Sequence, residues 1–352
     1  MENVKVIIWG LGAMGGGVAK TLLQKKGVDI VGAIDMGAKV GKGLFEVLGQ
    51  EFPGKTDVTV GSTDDYITPE NADVVILCTD SYVKGNFPKI KLVLENKMNV
   101  ISSAEEMAYP KAQNPELAAE IDRIAKENGV SVLGTGINPG HIMDLLVLVM
   151  TGALTDVKHI TSKRINSLSP FGAAVMEEQG IGLEVDEFNR RKAADEMAGH
   201  VGFEESVQMM ADALGVTLDD MTTDMEPIVT EVDRKSPYGF AKAGQVAGVF
   251  MTAKGMVDGK EFFNLEHPQQ IEPEQVGVDT GDYVIIDGSP KVNLINTPEI
   301  EGGTGTIAML VNMIPKIINA DPGLQTMIDL PIPHAILGDY RDQVKADKKI
   351  VK

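Results

Sequence analysis

The chain reads as an α/β protein, a doubly wound parallel sheet joined to a second, α+β domain built on an open mixed sheet. Its first 35 residues run strand, glycine-rich turn, helix, strand and acid. Short apolar runs then alternate with helical patterns to about residue 140, as in parallel sheets covered on both faces. From about Asp156 the texture changes to longer segments that read as antiparallel strands with few helices between them. The 352 residues suffice for two domains, each with its own core.

The first strand, Val4 to Trp9, enters Gly10-Leu11-Gly12-Ala13-Met14-Gly15, and the run Val28 to Ile34 ends on Asp35. This is the dinucleotide-binding fingerprint of a Rossmann domain in its proper context. Gly10 permits the tight turn, Gly12 lets backbone approach a pyrophosphate, and Gly15 lets the helix lie close on the strand. The amides of Ala13 and Met14, opening that helix, face the anion. Asp35 accepts hydrogen bonds from the adenosine ribose, which favours NAD over NADP, while Lys39 and Lys42 soften that preference.

Val74 to Cys78 is a buried strand ending at Thr79-Asp80-Ser81, so Thr79 and Ser81 are placed to flank a cofactor or to cap the next helix. A helix carries Lys89 to Asn96, and Asn99 to Ser102 is a strand that delivers Glu105 and Glu106. Two adjacent acids do not both enter one cleft, so Glu105 is read as the inward one and Glu106 as solvated or paired with a cation. Catalysis by Glu105 requires burial to raise its pKa from about 4.3. The alternative puts both acids in a helical first turn, where they stabilise its dipole. Residues 114 to 128 form an amphipathic helix stopped by Gly129. Val130 to Leu133 is a strand leading into Gly134 to Gly140, where Asn138 suits a nicotinamide carboxamide or a plain turn. His141 and Asp144 follow at a helix start and are candidates for substrate binding, His141 being otherwise a structural histidine beside an acid.

In the second domain, His159 to Asn166, Gly244 to Gly255 and Tyr283 to Ile286 read as strands, the last closed by the turn pair Asp287-Gly288, and residues 203 to 214 as a helix. Arg164 is a candidate clamp for a substrate carboxylate or one half of a salt bridge, and Ser169 stands in the polar turn beyond it. Gly302 to Thr306, with Thr304, offers free amides and hydroxyls to cofactor or substrate, or caps a helix. Thr306 to Ile318 is an apolar helix that returns to the nucleotide domain. The domains are therefore expected at 1–145 with 306–352, and at 146–305. The uncovered face of the second sheet is expected to meet another subunit in a homodimer.

With 43% hydrophobic and 24% charged residues, the composition is that of a globular enzyme. A net charge of −19 disfavours nucleic acid. No apolar stretch approaches a membrane span and the N-terminus carries no signal-peptide pattern, so a cytoplasmic protein is expected. The single cysteine, Cys78, excludes an internal disulfide and reads as a core residue. The five histidines show no ligand spacing, so no metal is expected.

These motifs resemble the 2,4-diaminopentanoate dehydrogenase and native amine dehydrogenase family, whose nucleotide domain is shared with dihydrodipicolinate reductase and homoserine dehydrogenase. The resemblance runs through the opening fingerprint, Asn99 to Met107, Gly136 to Gly140, Ser169 to Gly172, Gln179 to Gly182 and Thr306 to Pro315. It implies that Glu105 is the catalytic acid/base, that NAD or NADP is the cofactor, and that the C4 amine of 2,4-diaminopentanoate is oxidatively deaminated. Where homoserine dehydrogenases carry Thr-Ala-Asn-Lys, this chain has Ser102-Ser103-Ala104-Glu105, which argues against homoserine as substrate. The alternatives are a related dehydrogenase of another short amino or keto acid, and a nucleotide-binding sensor without turnover.

Overall fold

A computed structural model describes residues 2–197 and 199–351. The chain forms two compact units, Met1–His141 with Gly302–Lys352, and Ile142–Glu301.

The first unit begins with strand β1 (Val4–Trp9), helix α1 (Ala13–Leu22) and β2 (Val28–Ile34). Two short helices, α2 (Leu44–Leu48) and α3 (Thr63–Tyr66), flank β3 (Val60–Gly61). Then follow β4 (Val74–Leu77), α4 (Val83–Glu95), β5 (Asn99–Ser102), α5 (Pro115–Asn128) and β6 (Ser131–Gly134). Between β5 and α5, Glu105–Ala108 makes a 3-10 turn. Residues of β4, β5 and β6 are buried on both faces, which is why they read as continuous apolar runs rather than alternating ones. Val75, Leu77, Val100 and Val132 share one core with Ile90, Val93 and Leu94 of α4 and Ile121 and Ile124 of α5.

The second unit contains α6 (Leu145–Thr151), β7 (Asp156–Ser167), α7 (Ala173–Glu178), α8 (Val185–Ala193), α9 (Phe203–Leu214) and β8 (Asp220–Val229). A two-stranded ribbon, β9 (Arg234–Lys235) with β10 (Phe240–Ala241), precedes β11 (Val246–Val257), β12 (Lys260–Gln270), β13 (Gly281–Ser289) and β14 (Val292–Asn296). The six long strands lie in the order β14-β13-β7-β12-β11-β8. Only β7 and β12 run parallel, so the sheet is mixed. Helix α9 packs on β11, and α6 on β13.

The chain returns to the first unit with α10 (Gly302–Asn312), α11 (Ile314–Ile318) and β15 (Gly323–Gln325). The completed first sheet is wholly parallel, in the order β15-β6-β5-β4-β1-β2-β3. Its centre has the Rossmann order, with the direction of winding reversing between β1 and β4. Helix α10 lies against α1, where Ile307 fills the space beside Gly17.

Several local expectations are corrected. The returning helix starts at Gly302 and breaks at Met313, since Pro315 offers no amide to continue the ladder. Asp287-Gly288 is not a turn: β13 continues to Ser289, with a bulge between these two residues. A Cβ on Gly288 would come within 2.3 Å of the Asp156 carbonyl oxygen, so this glycine permits close strand approach. Helix α4 begins at Val83, well before Lys89.

Candidate active site

The candidate residues of the first unit follow the carboxyl ends of its parallel strands, where ligands bind in such sheets. Asp35 follows β2, the glycine loop β1, Thr79 and Ser81 β4, Glu105 β5, and Asn138 β6. From β2 to β5 is three strand spacings, about 14 Å, so adenosine-side and reactive-side groups are separated in order across the edge.

The glycine loop is tightly determined. Gly10 has a φ of +95°, and a Cβ there would lie 2.3 Å from the Cys78 carbonyl oxygen at the end of β4. A Cβ on Gly15 would lie 1.8 Å from the Gly10 carbonyl oxygen. Gly12 differs, since a Cβ there would meet nothing within 4 Å. Gly12 is the N-cap of α1, and no side chain caps that helix. The open space therefore lies where the amides of Ala13 and Met14 direct their partial positive charge, which fits a pyrophosphate.

Asp35 is half-buried and accepts from the Leu11 amide at 2.7 Å, the Met36 amide at 2.6 Å and Lys39 Nζ at 2.9 Å. Burial works against its charge, but the Met36 amide, Lys39 and the Leu11 amide together hold the carboxyl below its ordinary value. Lys39 also donates to the Leu11 carbonyl at 2.9 Å. Lys39 thus reaches the loop itself, whereas Lys42 pairs with Glu46 at 3.2 Å.

Glu105 and Glu106 open the 3-10 turn after β5. Burial pushes the Glu105 carboxyl above the usual carboxylate range and the nearby charge of Asp80 adds to this, while its own backbone amide and the Ser81 hydroxyl pull the other way. Ser81, expected to flank cofactor, is thus a hydrogen-bond partner of Glu105. Glu106 is neither solvated nor paired with a cation: it is 9% exposed and accepts from the Val83 amide at 2.7 Å and Asn114 Nδ2 at 3.2 Å. It caps α4 and ties the turn to the start of α5. Gly134 lets this turn sit against β6, because a Cβ there would come within 2.1 Å of the Met107 backbone.

Thr79 is exposed, donates to Asn86 Oδ1 at 3.1 Å and accepts from Lys89 Nζ at 2.8 Å, which binds it to α4. In the loop after β6, the Thr135 amide donates to the Ser102 carbonyl at 3.0 Å and the Ile137 amide to Thr306 Oγ1 at 3.2 Å. Neither side-chain polar atom of Asn138 has a partner although both are buried, and Thr135 Oγ1 is alike. A buried carboxamide with both ends unmatched fits the complementary carboxamide of a nicotinamide. His141 is half-buried at the end of this loop, and Thr304 is exposed in the first turn of α10. Thr306, two residues on, touches the Asn138 loop.

In the second unit, Arg164 is 2% exposed, with its guanidinium on Asp282 and on the Ile300 carbonyl oxygen. It is engaged inside the sheet and does not stand as an open carboxylate clamp. Asp144 is fully buried, caps α6 through the Leu145 amide and accepts from Ser206 Oγ at 2.9 Å. It is the joint between α6 and α9. Ser169 Oγ accepts from the Glu272 amide at 2.9 Å and so fastens two loops. Two histidines that sequence reasoning set aside, the half-buried His200 and the buried His267, lie with ring centroids 5.0 Å apart. His267 Nδ1 donates to the Arg164 carbonyl at 2.8 Å, and burial pushes His200 down to about 3, so both rings are neutral.

Residues 141–346 match the model of the 2,4-diaminopentanoate dehydrogenase C-terminal domain. The chain belongs to the 2,4-diaminopentanoate dehydrogenase family. It is 63% identical to 2,4-diaminopentanoate dehydrogenase of Acetoanaerobium sticklandii, over 100% of both chains. It is 26% identical to amine dehydrogenase of Streptomyces virginiae, over 95% of this chain and 98% of that one. The amine dehydrogenase from Mycobacterium smegmatis superposes with a TM-score of 0.81 at 26% identity, over 96% and 98% of the two chains. A probable dehydrogenase from Thermotoga maritima, at 12% identity and a TM-score of 0.58 over 93% and 92%, shares the fold alone. This family member is therefore an oxidoreductase acting on amines, with a nicotinamide dinucleotide as cofactor.

Proposed function

We propose that the protein oxidatively deaminates 2,4-diaminopentanoate at C4, yielding 2-amino-4-oxopentanoate, ammonium and reduced cofactor. Full-length identity of 63% to a 2,4-diaminopentanoate dehydrogenase carries this reading, and the half-buried Glu105 beside Ser81 supports it chemically. Gly10, Gly12, Ala13, Met14 and Gly15 hold the pyrophosphate, Asp35 the adenosine ribose, and Asn138 the carboxamide. The bound nicotinamide supplies the hydride acceptor for C4.

Glu105 takes a proton from the C4 ammonium, leaving the lone pair that allows C4 to release hydride and become an iminium carbon. It passes that proton to solvent. Glu105 then accepts a proton from the water adding to C4 and returns it to the departing nitrogen. Ammonia leaves, takes up the last proton from the new carbonyl oxygen, and the net release is one proton. Burial suits Glu105 to this task, since it brings a carboxylate closer to the pH at which it both takes and gives a proton.

Asp35 favours NAD, since a 2′-phosphate is repelled by its charge. Lys39 offsets part of that repulsion and leaves NADP a usable second cofactor. Lys39→Ala is expected to weaken NADPH binding more than NADH binding, read by fluorescence titration of each. The protein is proposed to work in the cytoplasm as a homodimer joined through the outer sheet face of the second unit, which sedimentation velocity tests. Among the described residues no helix is long and apolar enough to cross a membrane.

The deciding assay follows reduction of NAD and NADP with 2,4-diaminopentanoate, 4-aminopentanoate and homoserine side by side. Turnover of the first, well above the other two, is expected. Binding of NADH without reduction by any of the three would instead make the protein a sensor.

A further inference from the structure

Three acids meet where helix α4 begins, and its amides bind two of them. Glu106 accepts from the Val83 amide at 2.7 Å, and Asp80 Oδ1 accepts from the Tyr82 amide at 3.0 Å. Helix α4 has no acid in its own first turn, so both carboxylates meet its positive end from outside. Glu105, the third acid, bonds to the Ser81 hydroxyl instead. The Glu106 amide donates to the Ser81 carbonyl at 3.1 Å, which ties the turn bearing Glu105 to the residue that follows Asp80.

Asp80 is fixed more firmly than a helix cap requires. Its carbonyl accepts from Asn86 Nδ2 at 3.1 Å, and that buried asparagine also accepts from Thr79 Oγ1. Its carboxylate lies over Gly85, where a Cβ would come 2.0 Å from Asp80 Oδ2 and 2.7 Å from Asp80 Cγ. Gly85 is exposed in the first turn of α4, and glycine is the least favourable residue in a helix after proline. Its place there is explained by the carboxylate that fills the space of its missing side chain.

We propose that Asp80 is a positioning residue for Glu105: Gly85 and the Tyr82 amide hold its carboxylate as a fixed negative charge, which biases Glu105 toward carrying the proton of the reaction. This rests on the reading of Glu105 as the acid/base. A like charge nearby opposes ionisation of Glu105, whereas the Ser81 hydroxyl favours it. The balance of the two neighbours sets the pH range in which one carboxyl both takes and returns a proton. The other ionisable groups on the surrounding elements are engaged or lie outside this balance. Lys89 of α4 is held by Thr79 at 2.8 Å, Glu106 by Val83 and Asn114, and Lys111 stands over the Tyr109 ring at 4.7 Å. Burial pushes the Cys78 thiol at the end of β4 up to about 11. Tyr82 and Lys84 are exposed, and β6, packed on the turn, carries no ionisable side chain.

The Glu105 carboxyl is titrated by NMR of protein labelled at its glutamate carboxyls, the resonance being assigned with Glu105→Gln, and kcat/KM for 2,4-diaminopentanoate is followed against pH. Asp80→Asn keeps the capping acceptor and loses the charge. In it the NMR midpoint and the acidic limb of the profile should both fall by about half a pH unit or more, with the shift shrinking at high salt and the melting temperature holding. Gly85→Ala should move the midpoint in the parent, where it displaces the carboxylate. Beside Asp80→Ala the same change should leave the midpoint alone and raise the melting temperature. An unmoved NMR midpoint in Asp80→Asn overturns the proposal, and so does a Gly85→Ala effect that is equal in both backgrounds. A midpoint that falls while the kcat/KM profile stays fixed keeps the coupling of Asp80 to Glu105 and sinks the acid/base role of Glu105.

Discussion

Glu105 and Glu106 are chemically identical neighbours with different surroundings. Glu106 is buried and satisfied by Val83 and Asn114, whereas Glu105 is half-buried near Asp80 with Ser81 as partner. Glu105→Gln should lower kcat by about 10²- to 10⁴-fold, the usual weight of a general acid/base, while NADH fluorescence shows unchanged binding. Its folded-state pKa is raised, so the folded protein holds this proton more tightly than the unfolded chain. Stability therefore falls as pH rises from the ordinary carboxylate value through the raised one. Glu105→Gln should accordingly melt higher than the parent at pH 8, with the difference vanishing under acid conditions. A melting curve series in which the variant is less stable at pH 8 would remove the burial cost from the account. Ser81→Ala deletes a hydrogen bond that favours the carboxylate, so the acidic limb of the kcat/KM profile should move to higher pH. The adjacent acids were visible in the chain, but their division of roles depended on Asn114 and the α4 amides, which approach only after folding.

Periodicity made most strands and helices legible, and its failures have local causes. β5 and α9 follow their expected boundaries, because apolar positions recur at the strand or helix period between clear stops. The pair Asp287-Gly288 misled because glycine serves both tight turns and close strand contacts. On β7, alternation distinguishes the face bearing Arg164 from the face bearing Lys163, but only the strand neighbours decide which is inward. Asp282→Ala should destabilise the second unit by about 3–5 kcal/mol in urea unfolding, because it strands a buried guanidinium. Gly15→Ala drives a Cβ into the Gly10 carbonyl and parts α1 from β1, so NADH binding should be lost. Retention of tight NADH binding in that variant would separate the glycine loop from the cofactor.

The first unit is discontinuous in sequence, and its closing segments are structural. Helix α10 packs on α1, β15 extends the sheet beside β6, and Thr306 holds the Asn138 loop. A chain ending at Glu301 should therefore lose NADH binding and cooperative melting of the first unit by circular dichroism. The amino-acid sequence by itself determined the parallel nucleotide-binding sheet, the mixed second sheet, the glycine loop and the candidacy of Glu105, because strand period, turn glycines and helix stops act between near neighbours in the chain. Tertiary structure alone decided that Arg164 and Asp144 are structural joints, that Glu106 is a cap, and that Asn166 Oδ1 and Gln269 Nε2 are buried without partners. Satisfaction of a buried polar group depends on atoms brought from distant segments, as Asp282 is to Arg164, and no local pattern encodes which atoms those are.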